Sequence, residues 1–187
     1  MKLGAVLMAS GSGARFGGNK LLCPVDGAPM ILRAFAAVPA GLFARACVVS
    51  CYPDILALAE ARGYLAVPNP HAGQGQSASV RLGLSALEGM DGVLFSVCDQ
   101  PWLRRESVER LLVDFAARPD HICALGFEGR RGNPAVFPRA LFPELLALSG
   151  EEGGGKVIKA HPLLVCLTQA ADPRELLDVD RPEDLFR

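Results

Sequence analysis

An excess of charge of either sign is missing from this chain. Lysine and arginine number 19 against 20 acids, a formal net charge of −1. That balance gives no electrostatic case for nucleic acid or an anionic membrane as partner. Aromatic residues are scarce, at 6%, and form no base-stacking cluster. No apolar run reaches the length of a bilayer span. The apolar stretch after Lys2 is too short for a signal-peptide core, so a cytoplasmic location is expected. Cysteine occurs six times, at Cys23, Cys47, Cys51, Cys98, Cys123 and Cys166, but never as C-x-x-C. Without that spacing the thiols read as reduced and structural rather than metal-binding or disulfide-bonded. His71, His121 and His161 stand too far apart to show ligand spacing. Repeats and low-complexity tracts are missing too. At 187 residues, half of them hydrophobic, the chain reads as one domain over 1–187 with an ample core.

What is present is alternation. Strand-like apolar runs fall at 3–8, 44–50, 64–67, 92–98, 121–126, 133–137 and 163–168. Helix-like stretches fall at 29–38, 53–62, 76–88, 105–117, 139–148 and 153–160. Pro53 and Asp54 start one helix in the preferred way, and Gly63 follows its end. Alternating units of this kind imply an α/β fold, a mainly parallel sheet with helices on both faces. Ligands of such sheets bind beyond the carboxyl ends of the strands. The loops after 3–8, 64–67 and 92–98 are therefore expected on one edge.

The first of these loops, Ala9-Ser10-Gly11-Ser12-Gly13-Ala14-Arg15-Phe16-Gly17-Gly18-Asn19-Lys20, combines glycines, hydroxyls and two cations. Glycines allow backbone N–H groups to face an anion, and Arg15 and Lys20 place positive charge beside it. It is not a P-loop, because Lys20 lies between Asn19 and Leu21. Nor is it the dinucleotide fingerprint. Gly11, Gly13 and Gly17 are spaced one residue too widely, and the run Val48-Val49-Ser50-Cys51 ends without an acid. A triphosphate-binding loop is the reading that fits, with a flexible surface loop as its plain alternative.

Three other segments carry candidate chemistry. Asp99-Gln100-Pro101 closes the run Val93 to Cys98. An acid there is placed to hold a divalent cation, and equally to shape a turn before proline. Gly75-Gln76-Ser77-Ala78-Ser79 leads into a helix, where its side chains either cap or meet a ligand. Arg130-Arg131-Gly132-Asn133-Pro134 reads as a tight turn entering a strand, its arginines solvated or facing phosphate.

Taken in order, these segments resemble the molybdenum cofactor nucleotidyltransferases, cytidylyltransferase type. Gly11, Arg15, Gly17 and Lys20 fall in register with that family's first loop, while Gly13 stands where the family has Ser. Gly75-Gln76-Ser77-Ala78-Ser79, Asp99-Gln100-Pro101 and Gly132-Asn133-Pro134 are similar to later family motifs. Gly150-Glu151-Glu152-Gly153-Gly154 is similar to another, with Glu for the usual Asp, and Asp178-Val179-Asp180 begins the closing one. The resemblance spans nearly the whole chain.

It implies a three-layer α/β/α sandwich of the nucleotidyltransferase type, with a Rossmann-like sheet. It implies transfer of a nucleotidyl group, CMP favoured over GMP, from an NTP to the phosphate of molybdopterin or molybdenum cofactor, with Mg2+ and release of pyrophosphate. Arg15, Lys20 and Asp99 become the catalytic residues. Ala9, Ser10, Gly11, Ser12, Gly13, Gln76 and Ser77 join Arg15 and Lys20 in nucleotide binding. Asp99 and Asp180 become metal ligands, and Gln100, Pro101, Asn133 and Glu151 acceptor contacts. A molybdenum hydroxylase apo-enzyme is the implied recipient. Competing readings are a sugar-phosphate or isoprenoid nucleotidyltransferase, a non-catalytic cofactor-holding chaperone and, more distantly, a dehydrogenase.

Overall fold

The computed structural model describes residues 1–11, 16, 18–181 and 183–184. Among the described residues nine strands form, β1 (Leu3–Met8), β2 (Pro24–Val25), β3 (Ala28–Pro29), β4 (Arg45–Ser50), β5 (Leu65–Pro68), β6 (Gly92–Val97), β7 (Ile122–Phe127), β8 (Arg130–Pro138) and β9 (Val165–Gln169). The α-helices among the described residues are α1 (Met30–Ala37), α2 (Pro53–Glu60), α3 (Gln76–Ser85), α4 (Arg105–Ala117), α5 (Phe142–Leu146) and α6 (Gly154–Ala160). Seven strands make one sheet in the order β5-β4-β1-β6-β8-β7-β9, while β2 and β3 form a separate small hairpin.

Alternation along each strand separates two cores. Ala5 and Leu7 of β1, Leu94 of β6, and Cys123 and Leu125 of β7 pack with α1, α2 and α4, through Ile31, Phe35, Ile55, Leu111 and Phe115. Val6, Phe95 and Ala124 point the other way, onto α3, α5 and α6 through Val80, Leu84, Leu145 and Ile158. The chain is thus the expected three-layer α/β/α sandwich. None of its described helices is long and apolar enough to cross a membrane.

Within the seven-stranded sheet, among the described residues, only β8 runs antiparallel to both of its neighbours. The β7–β8 turn is two residues, Glu128 (φ 48°) and Gly129 (φ 79°), with Phe127 paired to Arg130. A turn that short permits only antiparallel pairing. The expected strand at 133–137 therefore starts at Arg130, and Arg130 and Arg131 lie in the strand rather than at its turn. Similarly, the expected helix 139–148 is a 3-10 turn at Arg139–Leu141 followed by α5. Pro143 in its first turn has no N–H to continue an earlier helix.

Register places the loops. Met8 pairs with Val49 and Val97, and Ser50 with Pro68, so the carboxyl ends of β1, β4, β5 and β6 are level. The residues that follow them share one edge, as expected. Because β8 is reversed, its beginning, not its end, lies toward that edge.

Candidate nucleotide-binding cleft

A cleft of about 480 Å³ opens on this edge. Met8, Ala9, Ser10 and Gly11 line it from the β1 side, and Val97, Cys98 and Asp99 from β6. Ala72, Gly73, Gly75, Gln76 and Ser79 close the β5 side, with Lys20, Leu21 and Glu151 completing the wall.

Lys20 is the electrostatic centre. It opens a 3-10 turn that Asn19 caps by accepting from the Leu21 N–H. Its side chain is 10% exposed. Nζ donates to Asp99 Oδ2 at 2.8 Å, to the Val179 carbonyl at 3.0 Å and to Asp180 Oδ1 at 3.0 Å. All three ammonium protons are thereby used. Burial alone works against the charge, but the Asp99 carboxylate and then Asp180 outweigh it and raise the Lys20 pKa above 10.5.

Asp99 has capacity left over. Its Oδ1 is buried and accepts no hydrogen bond. An unpaired buried carboxylate oxygen is costly, and a cation or a donor beside it removes the cost. Among the described residues no group of three or more His, Cys, Asp or Glu side chains is gathered to hold a metal. Magnesium commonly uses only one or two carboxylates, completing its shell with water and substrate phosphate. Asp99 with Asp180 fits that donor set.

The residues after β9 return to this site. Glu175 is fully buried and accepts from the backbone N–H groups of Arg104, Ala171 and Asp172 at 3.1, 2.8 and 3.2 Å. Gln100, 3% exposed, donates to Asp178 Oδ1 at 2.8 Å and to the Leu176 carbonyl, while its Oε1 is unpaired. The Val179 N–H bonds the Asp99 carbonyl at 2.9 Å. Together these contacts bring Val179 and Asp180 to Lys20. Sequence reading missed Glu175 and Val179, since neither side-chain type announces a backbone partner.

Asp178 faces the same charges. Although the residue is exposed overall, loss of solvent around its carboxyl, and then the negative charge of Asp99, raise its pKa above the ordinary 3.8. A raised carboxyl pKa means the charged form is disfavoured in the folded protein. That penalty is absent below the unfolded value and is fully present above the folded one. Asp178→Asn retains an oxygen to accept from Gln100. It should therefore be modestly more stable than the parent at about pH 7, and the gap should close as the pH falls below the ordinary carboxyl range. Urea unfolding at the two pH values checks this; a variant less stable at neutral pH would contradict it.

The glycine loops lock together backbone to backbone. Gly75 has φ +90°, and a Cβ there would land on the Gly150 carbonyl. The Ser77 N–H bonds that carbonyl at 3.2 Å, and a Cβ on Gly153 would strike the Gln76 side chain. Arg81 bridges Ser77 Oγ and the Leu148 carbonyl.

Of the expected site residues, Ala9, Ser10, Gly11, Lys20, Gln76, Asp99 and Glu151 line one cleft, and Asp180 joins it through Lys20. Ser77 is fully buried against Arg81, behind the wall. Pro101 is buried, its carbonyl accepting from Arg33 Nε at 2.7 Å. Gln100 and Asn133 also stand off the cleft surface, Gln100 beneath Asp99 and Asn133 half-buried in β8. Ser12, Gly13 and Arg15 lie outside the described residues.

Residues 5–165 match the MobA-like NTP transferase domain. The chain belongs to that family. A curated relative from Paenarthrobacter nicotinovorans, nicotine blue oxidoreductase, is 30% identical over 97% of this chain and 94% of its own. The molybdenum cofactor guanylyltransferase of Rhodobacter capsulatus is 27% identical over 100% and 95%. The solved structure of a Mycobacterium tuberculosis protein's homologue, from Mycobacterium sp. strain JC1, superposes with a TM-score of 0.83 at 23% identity, covering 99% of this chain and 93% of that one. As a member of the MobA-like NTP transferase family, the chain falls within a nucleotidyltransferase class. The fold and the polar cleft agree with that class.

Proposed function

We propose that this protein is a cytoplasmic, Mg2+-dependent cytidylyltransferase acting on molybdenum cofactor, for delivery to a molybdenum hydroxylase. The observation that carries the reading is the buried Lys20 ammonium between Asp99 and Asp180 beside the cleft, with one buried Asp99 oxygen accepting from no described residue. Such a seat suits the polyphosphate of a nucleotide and its cation. Asp99 and Asp180 would hold magnesium, which would supply positive charge against the phosphates.

The terminal phosphate oxygen of molybdopterin bonds to the α-phosphorus, and the bond from that phosphorus to the β-phosphate oxygen breaks to release pyrophosphate. The attacking oxygen is already anionic, so no enzyme nucleophile is needed. Cys98 agrees with this: burial first, then the Asp99 charge, pushes its thiol far above the ordinary range. Lys20 and Arg15 position the triphosphate and neutralise charge developing on the leaving group. Ala9-Ser10 in place of a glycine pair, Gln76-Ser77-Ala78-Ser79 and Gly132-Asn133-Pro134 support CTP over GTP.

Pyrophosphate release with Mg2+, molybdenum cofactor and CTP, GTP, ATP or UTP separately tests the proposal. Release with CTP alone is expected. GTP preference would retain the reaction and overturn the base assignment. Tight cofactor binding without release would make the protein a carrier. A second reading, a redox reaction on the same domain, is favoured by the name of the Paenarthrobacter relative. Oxidation of a reduced nicotinamide cofactor, without pyrophosphate release, would establish it.

A further inference from the structure

The cleft has two chemically different ends. Lys20, Asp99 and Asp180 gather at the β6 side, while the β5 side carries the Gln76 amide and the Ser79 hydroxyl, with Glu151 on the loop packed against Gly75. Asn69, between Pro68 and Pro70 just after β5, organises the hydroxyls of that side. It is 2% exposed. Its Nδ2 donates to Ser10 Oγ and Ser79 Oγ, both at 3.1 Å, and its Oδ1 accepts from the His71 N–H at 2.9 Å. The His71 donor fixes which way the amide faces.

The two hydroxyls are left in different states. Ser10 Oγ donates its proton to the Val49 carbonyl at 3.1 Å. Ser50 Oγ holds the neighbouring Ala9 carbonyl at 2.9 Å, so the start of the first loop is fixed from behind. Ser79 Oγ accepts from Asn69, but no described residue accepts its proton, and Ser79 lines the cleft. A hydroxyl approached from the rear by a donor turns its own proton the other way.

We propose that Asn69 is a positioning residue for the nucleoside end of the nucleotide. By bonding Ser10 and Ser79 together, it presents the Ser79 hydroxyl as a proton donor to an acceptor atom of the nucleoside. The inference rests on the nucleotide-binding reading above. The carboxylates set the direction, with the phosphates and their cation at the Asp99–Asp180 end and the nucleoside toward Ser79.

The test is a double-mutant cycle read by calorimetric binding of CTP and GTP, each with Mg2+. Asn69→Ala and Ser79→Ala should each weaken binding of the preferred nucleotide about tenfold, and the double variant no further, because one residue acts through the other. Wild-type affinity in either single variant, or a hundredfold loss in the double, would overturn the proposal. A role for Asn69 confined to folding would lower thermal stability and leave Ser79→Ala silent. Should Asn69→Ala not fold, Asn69→Asp keeps the bond from His71 and the volume but removes both donors. It should lose both nucleotides, and wild-type affinity there would also refute the role. A wild-type protein that binds neither nucleotide overturns the cleft assignment and this inference together; normal wild-type binding with unchanged variants overturns only the inference.

Discussion

Asp99→Asn should lower the rate of pyrophosphate release by about 10²–10³-fold, the range for losing one preorganised charge-stabilising group. The substitution is nearly isosteric. The backbone bond from Val179 to the residue 99 carbonyl remains available, and an amide oxygen can still accept from Lys20. What disappears is the negative charge that balances the ammonium. Asp180, whose side chain is 55% exposed, compensates poorly because water screens it. The under-compensated ammonium should also lower thermal stability, so the loss is read in single-turnover rates well below the variant's melting temperature. Retention of more than a tenth of the rate would remove Asp99 from the catalytic set.

Glu175→Ala should produce the largest loss of stability, about 3–5 kcal/mol. Three backbone N–H groups, from Arg104, Ala171 and Asp172, would lose their acceptor in a fully buried site. Each unsatisfied buried donor costs about 1–3 kcal/mol, less where water enters the space. For a domain of this size the melting temperature should fall by roughly 10 °C. Glu175→Gln, which keeps an oxygen acceptor, should recover more than half of that. Activity should fall further than stability, because Glu175 fastens the segment carrying Val179 and Asp180 to Lys20. Thermal denaturation with parallel rate measurements separates the two effects; a melting point within about 2 °C of the parent would refute the argument.

The layered sheet was legible in the sequence because buried parallel strands are nearly continuous apolar runs. Val93-Leu94-Phe95-Ser96-Val97-Cys98 is such a run and forms β6 almost as read. Strand polarity then places the loops on one edge without any knowledge of side-chain contacts. The turn before β8 was legible but was placed at Arg130-Arg131 rather than Glu128-Gly129, which lacks the Asn-Gly or Asp-Gly pair that usually marks a two-residue hairpin. Lys20 and Asp99 could be chosen as charged residues in suggestive loops, but their ion pair spans 79 positions and only folding creates it. Asn69 and Glu175 escaped for a related reason. Their partners are hydroxyls and main-chain N–H groups, which every segment possesses. In retrospect an Asn held between two prolines is the signal that Asn69 offered.

The match to the shared domain stops at residue 165, whereas two of the three oxygens around the Lys20 ammonium belong to residues 179 and 180. The pocket for the ammonium is thus closed like a latch by the segment that follows β9, pinned from outside the sheet by Glu175 and Gln100. A change that loosens either pin should free the Lys20 side chain while every strand stays in place.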